Sequence, residues 1–180
     1  MNTTRVEVWD LFVRLFHWGL ALAFAVTYIT GDAWRGLHIS AGYVVIALIA
    51  ARILWGVGGT KYARFSQFVK PPAAIAAYVQ DVFRRREARH VGHNPAGGAM
   101  MITILILLMA LGGSGVLLTS EAFWGSETMD IIHGTLANMT LVCVAVHVSG
   151  VIFTSIRTRE NLIWAMITGH KRTPDDGDVV

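Results

Sequence analysis

Four stretches of the chain are apolar for about the ~20 residues a helix needs to cross a bilayer, and polar residues collect in the gaps between them. The pattern predicts spanning helices over Leu11–Thr30, Leu37–Val57, Ala96–Thr119 and Met129–Ser155. The first is long, aromatic and histidine-bearing, and no A-x-A-like site follows it. It is therefore expected to be retained rather than cleaved as a signal peptide. The first and third gaps are short, around Gly31–Gly36 and Ser120–Thr128, while the middle one runs from Gly58 to Pro95. No internal repeat or low-complexity segment interrupts this order. The expected fold is an all-α membrane protein, a four-helix transmembrane bundle forming one domain over residues 1–180.

Inside the long gap, Pro71-Pro72 opens a stretch to about Arg89 in which Ile75, Val79, Val82 and Phe83 recur at helical spacing. This predicts an amphipathic helix lying against the membrane surface, with Arg84–Arg86 turned to headgroups or solvent. His93-Asn94-Pro95 then reads as a helix start, with Asn94 as N-cap and Pro95 in the first helical position.

Composition supports the membrane reading. Hydrophobic residues make up 54% of the chain and charged residues 15%, against the roughly 25% charge of an ordinary soluble domain. A single cysteine excludes an intrachain disulfide, and the chain has no CxxCH run for covalent haem attachment. Cys143, the lone cysteine, reads as a small packing residue.

Charge sets the expected orientation. Arg5 and Arg14 precede or open the first span. The long gap carries Lys61, Arg64, Lys70, Arg84, Arg85, Arg86 and Arg89, and the tail adds Arg157, Arg159, Lys171 and Arg172. The two short gaps hold Arg35 against Asp32, Glu121, Glu127 and Asp130. By the positive-inside rule both termini and the long gap, with its amphipathic helix between the second and third spans, are cytoplasmic. The net charge of +3 is thus a topology signal, and nucleic acid is not an expected partner. The acidic outer loops are expected to steer a basic partner, an attraction that ionic strength would weaken. Trp9, Trp18, Trp34, Trp55, Trp124 and Trp164 fall mostly near predicted interfaces, as an aromatic belt does.

The histidines carry the chemistry. His90, His93 and His170 lie in the long gap and the tail and are set aside as ligands, while His17, His38, His133 and His147 lie in apolar spans. Ionisable residues at membrane depth are costly and point to function. His133 and His147 are fourteen residues apart, about 21 Å of rise and four turns, so their rings leave one face of the last span. With alternating helix directions, His38 shares the outer depth of His133 and His17 the inner depth of His147. Mid-span carboxylates to complete a zinc or di-iron site are missing. Two imidazoles above and below a flat macrocycle satisfy haem iron, and filling both axial positions favours electron transfer over oxygen binding.

Small residues stand beside these histidines: Gly42, Ala137 and Gly150 about one turn on, and Gly112, Gly113 and Gly115 on the third span. They permit a porphyrin to approach backbone, though they are also ordinary in membrane helix packing. Arg52 follows His38 by fourteen residues, and Arg14 precedes His17 by one turn. Each has two readings: a partner for a haem propionate or quinone oxygen, or an interfacial arginine snorkelling to headgroups.

Val8-Trp9-Asp10 followed by Arg14-Leu15-Phe16-His17-Trp18 resembles the opening of bacterial b-type cytochromes of the cytochrome b561 family, which is similar to the di-haem cytochrome b subunits of nickel-iron hydrogenases. The resemblance continues through Leu37-His38, Tyr62-Ala63-Arg64-Phe65, Gly92-His93-Asn94-Pro95-Ala96-Gly97-Gly98 and the segment from Glu160 to Gly169. It implies two haem b groups, one held by His17 and His147 on the cytoplasmic side, the other by His38 and His133 on the periplasmic side. It further implies a bacterial inner-membrane protein passing electrons between the quinone pool and a periplasmic redox protein such as a cytochrome, dehydrogenase or hydrogenase. The chain departs from the larger relatives in its short outer loops and in having no fifth hydrophobic segment. Beside an electron-transfer subunit, homo- or hetero-oligomeric, two alternatives stay open: a stand-alone quinone-coupled oxidoreductase such as a superoxide oxidase, and a haem-free transporter or structural membrane protein.

Overall fold

The computed structural model describes residues 5–31 and 33–180. Asp32, one of the four acidic residues assigned to the outer loops, lies outside them. Elements follow in the order β1 (Arg5–Glu7), α1 (Leu11–Thr30), α2 (Arg35–Gly58), a 3-10 turn (Lys61–Ala63), α3 (Phe65–Phe68), α4 (Pro72–Phe83), α5 (Pro95–Leu118), α6 (Glu127–Thr158), α7 (Leu162–Thr168) and β2 (His170–Arg172). Among the described residues four helices, α1, α2, α5 and α6, are long and apolar enough to cross a membrane. They match the four apolar stretches, with α2 and α6 longer at both ends than the hydropathy pattern required. At 32 residues, α6 would extend about 48 Å, so its polar ends outreach the ~30 Å hydrocarbon layer.

The described residues form two compact units, one from 5–14, 54–102 and 146–180, the other from 15–31, 33–53 and 103–145. Each of the four long helices contributes to both.

The unit holding the chain ends is knotted by polar contacts. Asp10 caps α1, accepting the Val13 N–H on Oδ1 at 2.8 Å, while Oδ2 accepts from the Trp55 indole at 3.0 Å and the Thr60 hydroxyl at 2.6 Å. Burial alone would raise the Asp10 carboxyl, but those donors outweigh it and hold it below the usual range. Gly169 ends α7 with φ +85°, and its carbonyl accepts from Val8 N and Trp9 N at 2.8 and 3.0 Å. A Cβ there would stand 2.6 Å from the Trp9 carbonyl oxygen, so the approach requires glycine twice over. β1 and β2 pair antiparallel with Val6 opposite Lys171. Val8, Trp9, Val13, Ala63, Val91 and Ala165 form the buried core beneath.

An ionic clasp holds the tail in the same unit. Arg89 pairs with Glu160 at 2.9 Å and with Asp178, and its Nη2 also donates to the Arg172 carbonyl at 2.9 Å. Val179 exchanges backbone bonds with Arg89 and Val91, both at 2.9 Å. Arg157 pairs with Glu87 through Nε and Nη2 at 2.7 and 2.8 Å. Lys171 is almost wholly buried beside the clasp; burial pushes its ammonium down to about 8, against the pull of Glu160.

Two expectations for this unit met different outcomes. Asn94 does cap α5, accepting the Gly97 N–H on its side chain at 2.7 Å. The amphipathic helix, by contrast, stops at Phe83 rather than near Arg89. Arg85 takes φ +58°, with its N–H on the Val82 carbonyl and that of Arg86 on the Asp81 carbonyl, a Schellman ending in which arginine replaces the usual glycine. The reversal frees Glu87 and Arg89 to reach Arg157 and Glu160, bonds a continuing helix would not offer. Beyond that end Phe83 is 84% exposed, next to the exposed Arg84, Arg85 and Arg86.

The other unit is a ring of four helix segments. Its neighbours are α1 and α2 (Gly19 against Leu48), α2 and α5 (Gly112 against Ile46), α5 and α6 (Ser114 to His133), and α6 and α1 (Asn138 to Tyr28). Ala23, Phe24, Val45, Ile49, Leu105 and Leu108 are its buried apolar residues.

Candidate functional site

The rings of His38 and His133 face one another inside the four-segment ring, with centroids 6.0 Å apart and planes inclined by 75°. Two imidazoles on opposite sides of one metal ion stand roughly 6 Å apart, given a metal–nitrogen bond of about 2 Å on each side. Around them opens a cleft of about 670 Å³, including its part open to the surroundings, lined by Gly42, Gly112, Gly115 and Ala137 together with Phe24 and Leu108. Glycine and alanine leave the walls flat: at Gly115 a Cβ would come within 3.2 Å of His133 Cε1, and at Gly112 within 2.9 Å of Ile46 Cγ1.

Each ring has one nitrogen already engaged. His38 Nδ1 lies 2.8 Å from the Thr27 carbonyl oxygen. A carbonyl only accepts, so Nδ1 carries the proton and donates, leaving the Nε2 lone pair uncommitted. His133 Nδ1 lies 2.9 Å from Ser114 Oγ, whose own hydrogen goes to the Leu111 carbonyl at 2.8 Å. Ser114 therefore accepts from His133 Nδ1–H, which again leaves the Nε2 lone pair uncommitted.

A metal held by side chains alone does not fit this cleft, because the described residues bring no group of three or more His, Cys, Asp or Glu together. A flat group that supplies its own four equatorial donors and needs two axial imidazoles fits the donor set, the ring separation and the smooth walls.

The remaining candidates are placed as follows. His17, on α1 in the same unit, stacks edge-on against Trp18 with centroids 4.9 Å apart. His147 belongs to the unit holding the chain ends, half-buried on α6. Arg52 is 3% exposed, with its guanidinium carbon 6.0 Å from the Phe16 ring centre. Arg14 donates through Nη1 to the Ile167 carbonyl at 2.8 Å, while its buried Nε has no acceptor. Of the three histidines set aside, His93 packs between Trp9 and Phe68, and the Nδ1 atoms of His90 and His170 bond to the nearby carbonyls of Ala88 and Thr168. Burial pushes His90 below the usual imidazole value.

The sequence model described as prokaryotic cytochrome b561 matches residues 8–169. The chain belongs to that family. It is accordingly a b-type cytochrome, a multi-pass membrane protein that binds haem and takes part in electron transfer. Among relatives, the probable Ni/Fe-hydrogenase B-type cytochrome subunit of Rhodobacter capsulatus is 24% identical, the match covering 96% of this chain and 84% of the relative. The protein of the same description from Cupriavidus necator is 26% identical, over 93% and 87%. The probable Ni/Fe-hydrogenase 1 B-type cytochrome subunit of Escherichia coli is 24% identical, over 94% and 92%. No solved structure gives a significant match.

Sequence reasoning passed over the two groups that hold the histidine rings. Ser114, buried at 6% exposure, was not singled out beside Gly112, Gly113 and Gly115; a lone hydroxyl in an apolar span was the available signal. The Thr27 carbonyl is a backbone group in the last turn of α1 and left no trace in residue type. The motif that carried the resemblance, Val8-Trp9-Asp10, does its local work through the Asp10 cap and the Gly169 contact.

Proposed function

We propose that this cytochrome carries two haem b groups, one on His38 and His133 and one on His17 and His147, and passes electrons between the quinone pool and a redox protein across the bacterial inner membrane. The reading rests above all on the 6.0 Å approach of the His38 and His133 rings with both Nδ1 atoms occupied. For the second haem it rests on the fourteen-residue spacing of His133 and His147 and on the family. The names of the relatives favour a hydrogenase as the partner. Arg52, buried at membrane depth, is the proposed partner of a propionate; Arg14 keeps one donor, Nε, for the same purpose.

When bound, haem accepts and releases one electron at its iron. The chain supplies the rest. His38 and His133 enter as neutral rings with fixed tautomer, Thr27 and Ser114 hold their planes, and the apolar walls exclude water. With His38 and His133 both held for it, a haem in this cleft would be supplied with two protein ligands, which suits electron relay rather than turnover of oxygen species.

Haem quantitation with reduced-minus-oxidised spectra tests this directly. Wild type is expected to hold two b haems per chain, His38→Ala to lose one and His17→Ala the other. One haem per chain in intact wild type would overturn the pairing.

A further inference from the structure

The two histidines of the cleft have unlike second partners. The Thr27 carbonyl lies in the last turn of α1, where backbone carbonyls lack helical N–H partners and carry the negative end of the helix dipole. It is a strong acceptor for His38 Nδ1–H. His133 Nδ1 meets the Ser114 hydroxyl, whose only hydrogen is committed to the Leu111 carbonyl, and that same carbonyl is within hydrogen-bonding reach of the His133 ring. That commitment matters. Free to rotate, the Ser114 hydroxyl could donate to Nδ1 and force the proton onto Nε2, which would remove the Nε2 lone pair. Bonded to Leu111, it acts only as an acceptor.

We propose that Ser114 is a positioning residue of the cytochrome: through the chain Leu111 carbonyl–Ser114 hydroxyl–His133 it keeps Nε2 of His133 available to the haem iron and sets the ligand's basicity. The inference rests on the reading of His38 and His133 as axial ligands. An acceptor on Nδ1–H makes an imidazole a better electron donor, which favours ferric over ferrous iron. Removing that acceptor weakens the donation and moves the midpoint potential upward. His38, held by the Thr27 backbone, is not affected by side-chain substitution at 114, so one ligand of the pair is tuned and the other is fixed.

The two beneficial controls are shape and hydroxyl. Ser114→Thr keeps an oxygen; Ser114→Val has nearly the same outline without it. In haem-loaded, purified protein, redox titration should show one of the two midpoint potentials higher in the valine variant than in the threonine variant, the other potential unchanged, and the low-spin ferric EPR signal of the same haem displaced. Haem content should remain two per chain in both. Equal potentials in the two variants would overturn the proposal, since the hydroxyl would then contribute nothing beyond its volume. If Ser114→Val binds haem poorly while Ser114→Thr does not, the hydroxyl is needed for ligation itself, which supports the same role. Equal loss of haem from both would make the site one of packing and overturn it. The underlying ligand reading fails separately, through His133→Ala retaining both haems.

Discussion

The two units use their polar side chains in opposite ways. In the unit holding the chain ends, Asp10, Arg89, Glu160, Arg157 and Glu87 bond to one another and to backbone, and the result is cross-linked segments distant in sequence. In the four-segment ring, by contrast, Thr27, Ser114 and Thr140 return their hydroxyl hydrogens to carbonyls of their own helix. Polar contacts between its helices are made by the Tyr28 hydroxyl with Asn138, by His38 with the Thr27 carbonyl and by His133 with Ser114. Polar groups in lipid must be satisfied internally, so a span keeps few of them, and the proposed haem ligands His38 and His133 are among those it keeps. Polar groups at the chain ends carry no such restriction and serve as fasteners.

The sharpest way to break this contrast is at the clasp. Arg89→Ala leaves the Glu160 and Asp178 carboxylates, both about nine-tenths buried, without their cation. Unpairing a buried ion pair costs about 3 kcal/mol or more. The tail should become sensitive to trypsin near Arg172 while haem content and spectra stay as in wild type; a parallel loss of haem would show that the fastener and the cofactor site are not separate in function. The pH dependence follows in sign. Burial alone would raise the Glu160 carboxyl, but hydrogen bonds from Arg89 and the Arg172 N–H, with the nearby cations, hold it below its ordinary value of 4.5. Its contribution is therefore present above that value and lost as pH falls through the lower folded-state value. Proteolysis of wild type should rise on that acid side, and the Arg89→Ala variant should lack the step.

In the ring the corresponding test is Gly115→Ala. The added methyl stands 3.2 Å from His133 Cε1 and must displace the ring by a few tenths of an ångström, whereas at Gly113 a Cβ meets nothing within 4 Å. Haem should leave the first variant about tenfold faster, some 1.4 kcal/mol, and the second at the wild-type rate. Equal behaviour of the two would remove Gly115 from the cleft's design.

How much of this was open to a reader of the sequence differs between the units in the same way. The spans were legible to within a few residues because lipid imposes one long apolar pattern, and His38 and His133 stood out as costly residues within it. Asn94-Pro95 was legible because capping is local. The β1–β2 pair was not, since three-residue strands carry no periodicity. Neither was the early end of α4, which depends on Glu87 and Arg89 finding partners some seventy residues away. Ser114 falls between: its residue type was visible, but its partner was fixed only by how α5 meets α6.

A smaller effect probes the fastening unit from the opposite direction. Lys171 is a fastener that works against stability at neutral pH, because burial depresses its ammonium to about 8 while the unfolded chain keeps it near 10.5. The Nζ has a long 3.5 Å bond to the Gly92 carbonyl and lies 5.3 Å from the Trp9 ring, too little to offset its desolvation. Lys171→Met should raise stability by about 1 kcal/mol at pH 7. Between pH 8 and 10.5 the unfolded wild-type chain binds the extra proton, so wild-type stability climbs with pH and the advantage of methionine should vanish. A thermal-shift series across that window, with a gap independent of pH, would contradict the burial argument.

The smallest effect lies at the helix ends. α6, like α4, finishes on an arginine in the left-handed region: Arg159 has φ +52°, with its N–H on the Ile156 carbonyl at 3.4 Å and the Glu160 N–H on the Ser155 carbonyl at 3.1 Å. The turn delivers Glu160 to Arg89, so the backbone strain of a non-glycine residue there is offset by the clasp it enables. Glycine meets the same turn without the strain, though it loosens the unfolded chain. Arg159→Gly should therefore stabilise the protein by somewhat less than 1 kcal/mol with the clasp intact. In the Arg89→Ala background the same gain should persist, because the relief is local to the turn. A gain seen only when Arg89 is present would instead mean that the αL residue and the ion pair are coupled, and that the fastening unit holds its strain through the clasp.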